Sequence, residues 1–191
     1  MPAEIPATRG RPRQPGTDGR IVRAALAILR EHGPRAVTIE AVSATSGVAK
    51  TTIYRRYRDR DDLMATVIDE IAAHPLPGRD VTVGQKLREV LARVRDVFEE
   101  GLGRGGMAAL LSDSDPQFTA QFRRALAAHL DPLMESLTRD SEEGLLRGDV
   151  DADILLNLIF GSYLGEVLRH GEPRPGWLDR TLEVLMRGLD A

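Results

Sequence analysis

Apolar residues recur along most of this chain at intervals of three and four, the spacing of one helix face. Val22, Ala25, Leu26 and Leu29 form the first such stripe, with Thr17 or Asp18 as the cap and Gly33-Pro34 as the stop. Ile39, Ala41 and Val42 give the inward face of a short helix from Thr38 to Ser46, capped by the Thr38 hydroxyl. Gly47 then permits a left-handed turn, and Val48 returns to the core. A second short helix follows from Ala49 to Arg56, anchored by Ile53. Asp59 caps a fourth helix with Met64, Val67, Ile68 and Ile71 on one side.

A break containing Pro75, Pro77 and Gly78 follows. The pattern resumes from Val83 to Glu100 with Leu87, Val90, Leu91, Val94 and Phe98. The run Gly101-Leu102-Gly103-Arg104-Gly105-Gly106 has no preceding strand and no following Gly-Lys-Ser, so it reads as a flexible loop and not as a phosphate cradle. Met107 to Ser112 forms a short helix. Asp115-Pro116 is a helix start, followed by Phe118, Phe122, Ala125 and Leu126. Asp131-Pro132 repeats the signal, giving a second helix or a kink before Leu133, Met134 and Leu137. The last two helices span Asp151 to His170 and Gly176 to Leu189. The predicted fold class is all-α.

The penultimate helix is apolar around too much of its circumference for one intramolecular face. Ile154, Leu158, Gly161, Gly165 and Leu168 make one stripe; Leu155, Ile159, Tyr163 and Val167 make another. Leu178, Leu182, Leu185 and Leu189 line the final helix. Two such helices from each of two chains make a four-helix dimer interface, with Gly161 and Gly165 allowing close approach; the competing reading buries them within one subunit.

Charge changes the picture more than composition does. The net charge of −3 conceals an asymmetry: residues 1–60 sum to +7 and residues 61–191 to −10. A basic front on an acidic body suits a chain that meets a polyanion at one end. The most basic short helix carries Lys50, Thr51, Thr52, Tyr54, Arg55 and Arg56, poorly suited to burial and well suited to a groove of phosphates and base edges. Two short helices joined by a glycine turn are the helix-turn-helix pattern.

From Arg20 to Leu63 the chain resembles the DNA-binding domain of the tetracycline-repressor (TetR) family. The matching pieces are His32-Gly33, Val37-Thr38-Ile39, Ser46-Gly47-Val48, Lys50 through Tyr57 and Asp61-Asp62-Leu63. Ala49, Tyr57 and Arg60 depart from the residues usual there. The resemblance implies a basic arm (1–16), a three-helix DNA-binding domain (17–75, motif 38–57) and a helical regulatory and dimerisation domain (76–191). It implies a homodimeric transcription regulator, a repressor released by a small-molecule effector, on a near-palindromic operator in double-stranded DNA. The DNA-contact candidates are Arg9, Arg11 and Arg13 for a minor groove; Thr51, Thr52 and Arg55 for base edges; and Thr38, Lys50, Tyr54 and Tyr57 for phosphates. Phe98, Met107, Phe118, Phe122, Met134, Phe160 and Tyr163 are the effector-pocket candidates, and the apolar faces favour an uncharged or weakly polar ligand.

Other chemistries find little support. There is no Cys, and His32, His74, His129 and His170 lack metal-ligand spacing. No Ser sits in a nucleophile elbow, so neither catalytic residues, a metal nor a cofactor is expected. The Arg147-Gly148-Asp149 triplet is a chance match in a turn. No N-terminal stretch resembles a signal peptide, and Ile154 to Leu164 is too short to span a bilayer. A cytoplasmic protein with no membrane partner follows. The alternatives are an interaction protein of the same fold that has lost operator binding, and an α-helical enzyme.

Overall fold

The computed structural model describes residues 16–72, 81–146 and 150–189. The basic arm with Arg9, Arg11 and Arg13, most of the Pro-rich break and the Arg147–Asp149 triplet lie outside them. Helix α1 (Thr17–His32) stops at Gly33, whose φ is 80°. Neither Thr17 nor Asp18 caps its start; Gly16 holds that position without a side-chain bond, and the Asp18 carboxylate is taken by Arg56 at 2.6 and 2.8 Å. A 3₁₀ turn (Pro34–Ala36) leads to α2 (Ile39–Ser46). The Thr38 hydroxyl accepts the Ala41 N–H at 3.1 Å, and Gly47 takes the left-handed φ of 67° that ends the helix. Helix α3 (Lys50–Tyr54) is one turn shorter than its pattern predicts, because Arg55 and Arg56 curl into a turn. Asp59 accepts the Asp62 N–H at 2.8 Å to start α4 (Arg60–Ala72).

Helix α5 (Val83–Asp96) opens on a reciprocal capping box between Thr82 and Gln85. Its last turn widens into a π-helical stretch, Val97–Leu102. Helix α6 (Gly103–Ser112) follows, then α7 (Pro116–Glu142), which passes through Pro132 as one helix. Asp151 caps α8 (Ala152–His170), and α9 (Trp177–Leu189) completes the chain. Among the described residues there is no strand.

Two apolar cores result. The first joins α1 to α4 and also draws in Leu102, Ala109, Phe118 and Phe122. The second joins α5, α7, α8 and α9 around Leu87, Leu91, Leu137 and Ile159. Lys86 of α5 is buried in the body, bonded to Asp140 at 2.6 and 2.8 Å and to Ser136 at 2.9 Å on α7. An ion pair so placed fixes the register of the two helices, because either charge left alone there is costly.

Two expectations are overturned. The glycine run is not a flexible loop. It forms the start of α6 and lies against the end of α1, where a Cβ on Gly105 would stand 2.4 Å from the Gly33 nitrogen and 2.7 Å from the Leu29 oxygen. A Cβ on Gly103 would meet the Arg30 backbone at 2.6 Å, and Gly103 itself has a φ of 58°. The α9 stripe likewise does not face outward. Leu182 and Leu189 are buried in the second core, and Leu178 and Leu185 pack against it, because α9 lies along α5 of its own subunit.

Gly105→Ala should therefore destabilise the fold by roughly 1–3 kcal/mol through overpacking, while Gly188→Ala, with nothing within 4 Å of the added Cβ, should gain up to about 1 kcal/mol of helix propensity. Thermal unfolding of the two variants checks this. Equal midpoints would remove the close-contact role of Gly105.

Candidate functional site

Helix α3 is short, and its position is set from beneath. Ile53 is fully buried, and Val42 and Val48 close the same core, so the rest of α3 faces out. Lys50, Thr51 and Arg55 are exposed, Thr52 is half-buried, and Tyr54 is 53% exposed. These five residues therefore share one solvent-facing polar surface. Lys50 Nζ lies 2.9 Å from Glu40 Oε1 on α2, and that bond pulls the Glu40 carboxyl below its usual range. Thr38 spends its oxygen lone pair on the α2 cap and keeps its hydrogen for another acceptor.

Two residues of the predicted face turn inward. Tyr57 is 7% exposed and fills the first core; burial, with the Asp18 charge, pushes its hydroxyl pKa up. Its ring could be foreseen as an anchor only with the position of α1 known. Arg56 grips Asp18 of α1 with its side chain only 10% exposed, so its charge is spent inside the head.

In the body, the predicted pocket residues divide. Phe98 stacks on Tyr163 (centroids 4.8 Å apart, 15° between planes), meets Phe160 edge-on, and Tyr163 in turn packs against Trp177. Tyr163 is core; burial, reinforced by Glu99, which accepts its O–H at 3.4 Å, drives its pKa far up. Phe118 belongs to the first core at 1% exposure, not to a pocket. Met134 packs on the second core and borders a shallow recess on the outer side of α7. Phe98, Met107, Phe122 and Phe160 do line one cavity of about 340 Å³ between α6, α7 and α8. A second cavity of about 50 Å³ lies between α4, α5 and α7, with Phe122 and Phe160 on its wall. Pattern reading missed Arg93, which borders this second space together with Glu89 and His129. The signal was there: Arg93 sits beside Val94 and three residues after Val90, on the flank of an apolar stripe.

The outer face of α8 is the third feature. Ile154, Leu158 and Leu168 are 54, 58 and 85% exposed, while Leu155, Leu156, Ile159 and Tyr163 are buried. Gly161 and Gly165 have nothing within 4 Å of an added Cβ, so nothing in their own subunit requires a glycine there. Among the described residues no group of His, Asp or Glu could hold a metal, and no helix is long and apolar enough to cross a membrane.

Residues 21–67 match the model for bacterial regulatory proteins of the tetR family, and residues 82–185 match that for the tetracyclin repressor-like C-terminal domain. The chain belongs to the TetR family of transcription regulators. It is 28% identical to the Bacillus subtilis HTH-type transcriptional regulator YdeS over 176 residues, 86% of this chain and 84% of that one. Two solved structures share the fold. FadR from Bacillus subtilis, in complex with stearoyl-CoA, has a TM-score of 0.68 at 19% identity, covering 89% of this chain and 98% of that one. GusR from Salmonella enterica has a TM-score of 0.65 at 18% identity, covering 93% and 98%.

In this TetR-family chain a single arginine forms the joint between the DNA-binding domain and the helical body. Arg60, at the start of α4, donates to the carbonyls of Val37 (3.1 Å) and Pro34 (2.7 Å) just before α2, and to Asp115 Oδ2 (2.8 Å). Asp115 Oδ1 accepts the Phe118 N–H at 3.1 Å and so caps α7. One guanidinium thus fastens the approach to the helix-turn-helix to the helix that walls both cavities. Burial alone would raise the Asp115 pKa, but the Phe118 N–H and Arg60 together outweigh it and hold the carboxyl below its usual range. A depressed folded-state pKa contributes stability that is present above the unfolded value of about 4 and is lost as pH falls through the folded value. Asp115→Asn should then cost roughly 1–3 kcal/mol at pH 7 and progressively less below about pH 4. Thermal midpoints of both proteins between pH 7 and pH 3 check the convergence; parallel curves would exclude it.

Proposed function

We propose that this TetR-family chain is a cytoplasmic repressor: a homodimer that binds a near-palindromic operator in double-stranded DNA and leaves it when a small molecule occupies its body. The observation that carries the reading is the polar surface of α3 standing over a buried Ile53 at the basic end of an otherwise acidic chain. In this reading Thr51, Thr52 and Arg55 reach base edges in the major groove. Lys50, Tyr54 and the Thr38 hydroxyl hold phosphates, Lys50 exchanging Glu40 for DNA. Tyr57 supports α3 from behind. Arg9, Arg11 and Arg13 enter a neighbouring minor groove.

The outer face of α8 supports the dimer. Its exposed Ile154, Leu158 and Leu168 need cover, and its open glycines admit a second helix at close range. With α9 turned to its own core, the partner meets α8 and the outer edge of α9, where Val184 is 70% exposed. A fold relative, FadR, is seen with stearoyl-CoA, and the body here holds cavities in its helical layer. An effector there would shift α7 and α4 and set the two heads wrongly for the operator. Coupling of this kind is typically about 1–3 kcal/mol.

Operators selected from random duplex DNA provide the test. Arg55→Ala should relax sequence preference and cost roughly 1–3 kcal/mol, whereas Lys50→Ala should weaken all sequences alike and reduce the salt slope by about one unit. Equal, sequence-independent losses in both variants would refute this division of roles.

A second measurement addresses the assembly. Gly165→Leu should push the partner helix away, so that sedimentation gives a monomer and the gel shift on the full operator fails with it. A monomeric variant with wild-type operator affinity would sever this face from DNA recognition.

A further inference from the structure

The two cavities of the body share a wall formed by Val97, Phe122, Leu126, Leu130 and Phe160. The smaller one is bounded by Ile68 and Ile71 of α4, Val90 and Val94 of α5, and Leu133 of α7, and a single arginine, Arg93, borders it. This residue is half-buried, and its guanidinium donates to the Ile71 carbonyl in the last turn of α4.

Among the described residues no carboxylate pairs with Arg93. Asp96, whose charge acts on it, is itself bonded twice by Arg95 at 3.0 and 3.1 Å. Glu89, one turn earlier on α5, is exposed at the cavity edge, and His129 borders the opposite side on α7. Burial pulls the Arg93 pKa down and outweighs the Asp96 charge that opposes it, as expected of a cation whose lost hydration is only partly replaced by an opposite charge. A guanidinium presents five N–H donors in a planar fork matched to a carboxylate. One neutral carbonyl leaves most of that fork unused.

An inorganic anion would satisfy Arg93 but would press its remaining oxygens against valine and leucine, which offer no donors. An uncharged apolar molecule would fill the space and leave the cation uncompensated. A molecule with one anionic end and an aliphatic body meets both demands.

We propose that the paired cavities bind a monocarboxylate on an aliphatic chain, its carboxylate held by Arg93 and its chain passing the Phe122–Phe160 wall into the larger cavity. This deepens the effector-responsive reading above and rests on it. It also replaces the uncharged ligand that the apolar pattern favoured. The carboxylate lies beside Ile71, so occupancy acts on the end of α4, whose other end carries Arg60.

Titration calorimetry on the full chain with decanoate, 1-decanol and acetate provides the test. Wild-type protein should bind decanoate about tenfold or more tightly than decanol, the worth of a charge-assisted hydrogen bond, and should not bind acetate measurably. Arg93→Met should abolish the preference and leave decanol affinity unchanged, while Arg93→Lys should keep part of it. Equal binding of decanoate and decanol, a preference that survives Arg93→Met, or no binding of decanoate would each overturn the assignment. If Arg93→Met fails to fold, Ala125→Leu decides, because it narrows the smaller cavity without touching charge; unchanged decanoate affinity in that variant sinks the site. DNA binding is read separately by gel shift of the ligand-free protein. A protein that prefers decanoate but binds no DNA fails the regulator reading alone, and one that binds DNA without the preference fails the carboxylate assignment alone.

Discussion

The structure depends on one contact with no side chain in it. At Gly33, Gly103 and Gly105 the backbone of α6 meets the backbone at the end of α1, and a Cβ on Gly105 would stand 2.4 Å from the Gly33 nitrogen. Side chains absorb small displacements by changing rotamer, whereas peptide planes in contact do not. A shift of α6 therefore becomes a shift of α1, and α1 is the floor on which α2 and α4 rest. Arg30 reinforces the seam by donating to the Glu100 carbonyl at 3.1 Å. The first core reaches across the same line, taking Leu102, Ala109, Phe118 and Phe122 into the packing of the head.

Around this seam the polar contacts are placed where helices must keep register. Arg56 holds Asp18, so the end of α3 is tied to the start of α1. Arg60 joins the approach to α2 with the cap of α7, and Lys86 joins α5 to α7 through Asp140. Each of these cations is mostly or partly withdrawn from water and has an anion to answer it. Arg93 is half-buried, as Arg60 is, and among the described residues its one hydrogen-bond acceptor is the Ile71 carbonyl. The contrast within one molecule, between cations used as fasteners and a cation left with spare donors, is what supports the role proposed for Arg93.

The sequence made the local features legible because their causes are local. The Thr38 cap, the Gly47 turn and the Asp115-Pro116 start each rest on residues three or four positions apart, and each stands where the pattern put it. The misreadings share an opposite cause. The glycine run looked like a loop because its partner, Leu29 to Gly33, lies some seventy residues earlier, and glycine packed against backbone looks no different in sequence from glycine in a turn. Tyr57 and Arg56 were placed on the DNA side by neighbours that are exposed; α1, which covers them, is invisible to a helical wheel. The α9 leucines form an apolar stripe whichever surface it meets, and α5 of the same subunit met it first. The pocket was half legible: aromatics at helical spacing located its walls, but not which of them would be consumed as core.

Helix α8 is where these constraints meet. Its inner side carries Phe160 and Leu156 into the larger cavity, and Tyr163 into the stack with Phe98 and Trp177. Its outer side carries the exposed leucines and open glycines of the proposed dimer face. A helix is nearly rigid over this length, so a ligand that shifts the α8 backbone at Phe160 moves Leu158 and Gly161 as well. In the proposed dimer, cavity occupancy and the angle between subunits would then be coupled through α8. In the proposed dimer, the outward apolar face, costly for a lone chain to expose, is the feature by which a change inside one body would alter the spacing between two reading heads.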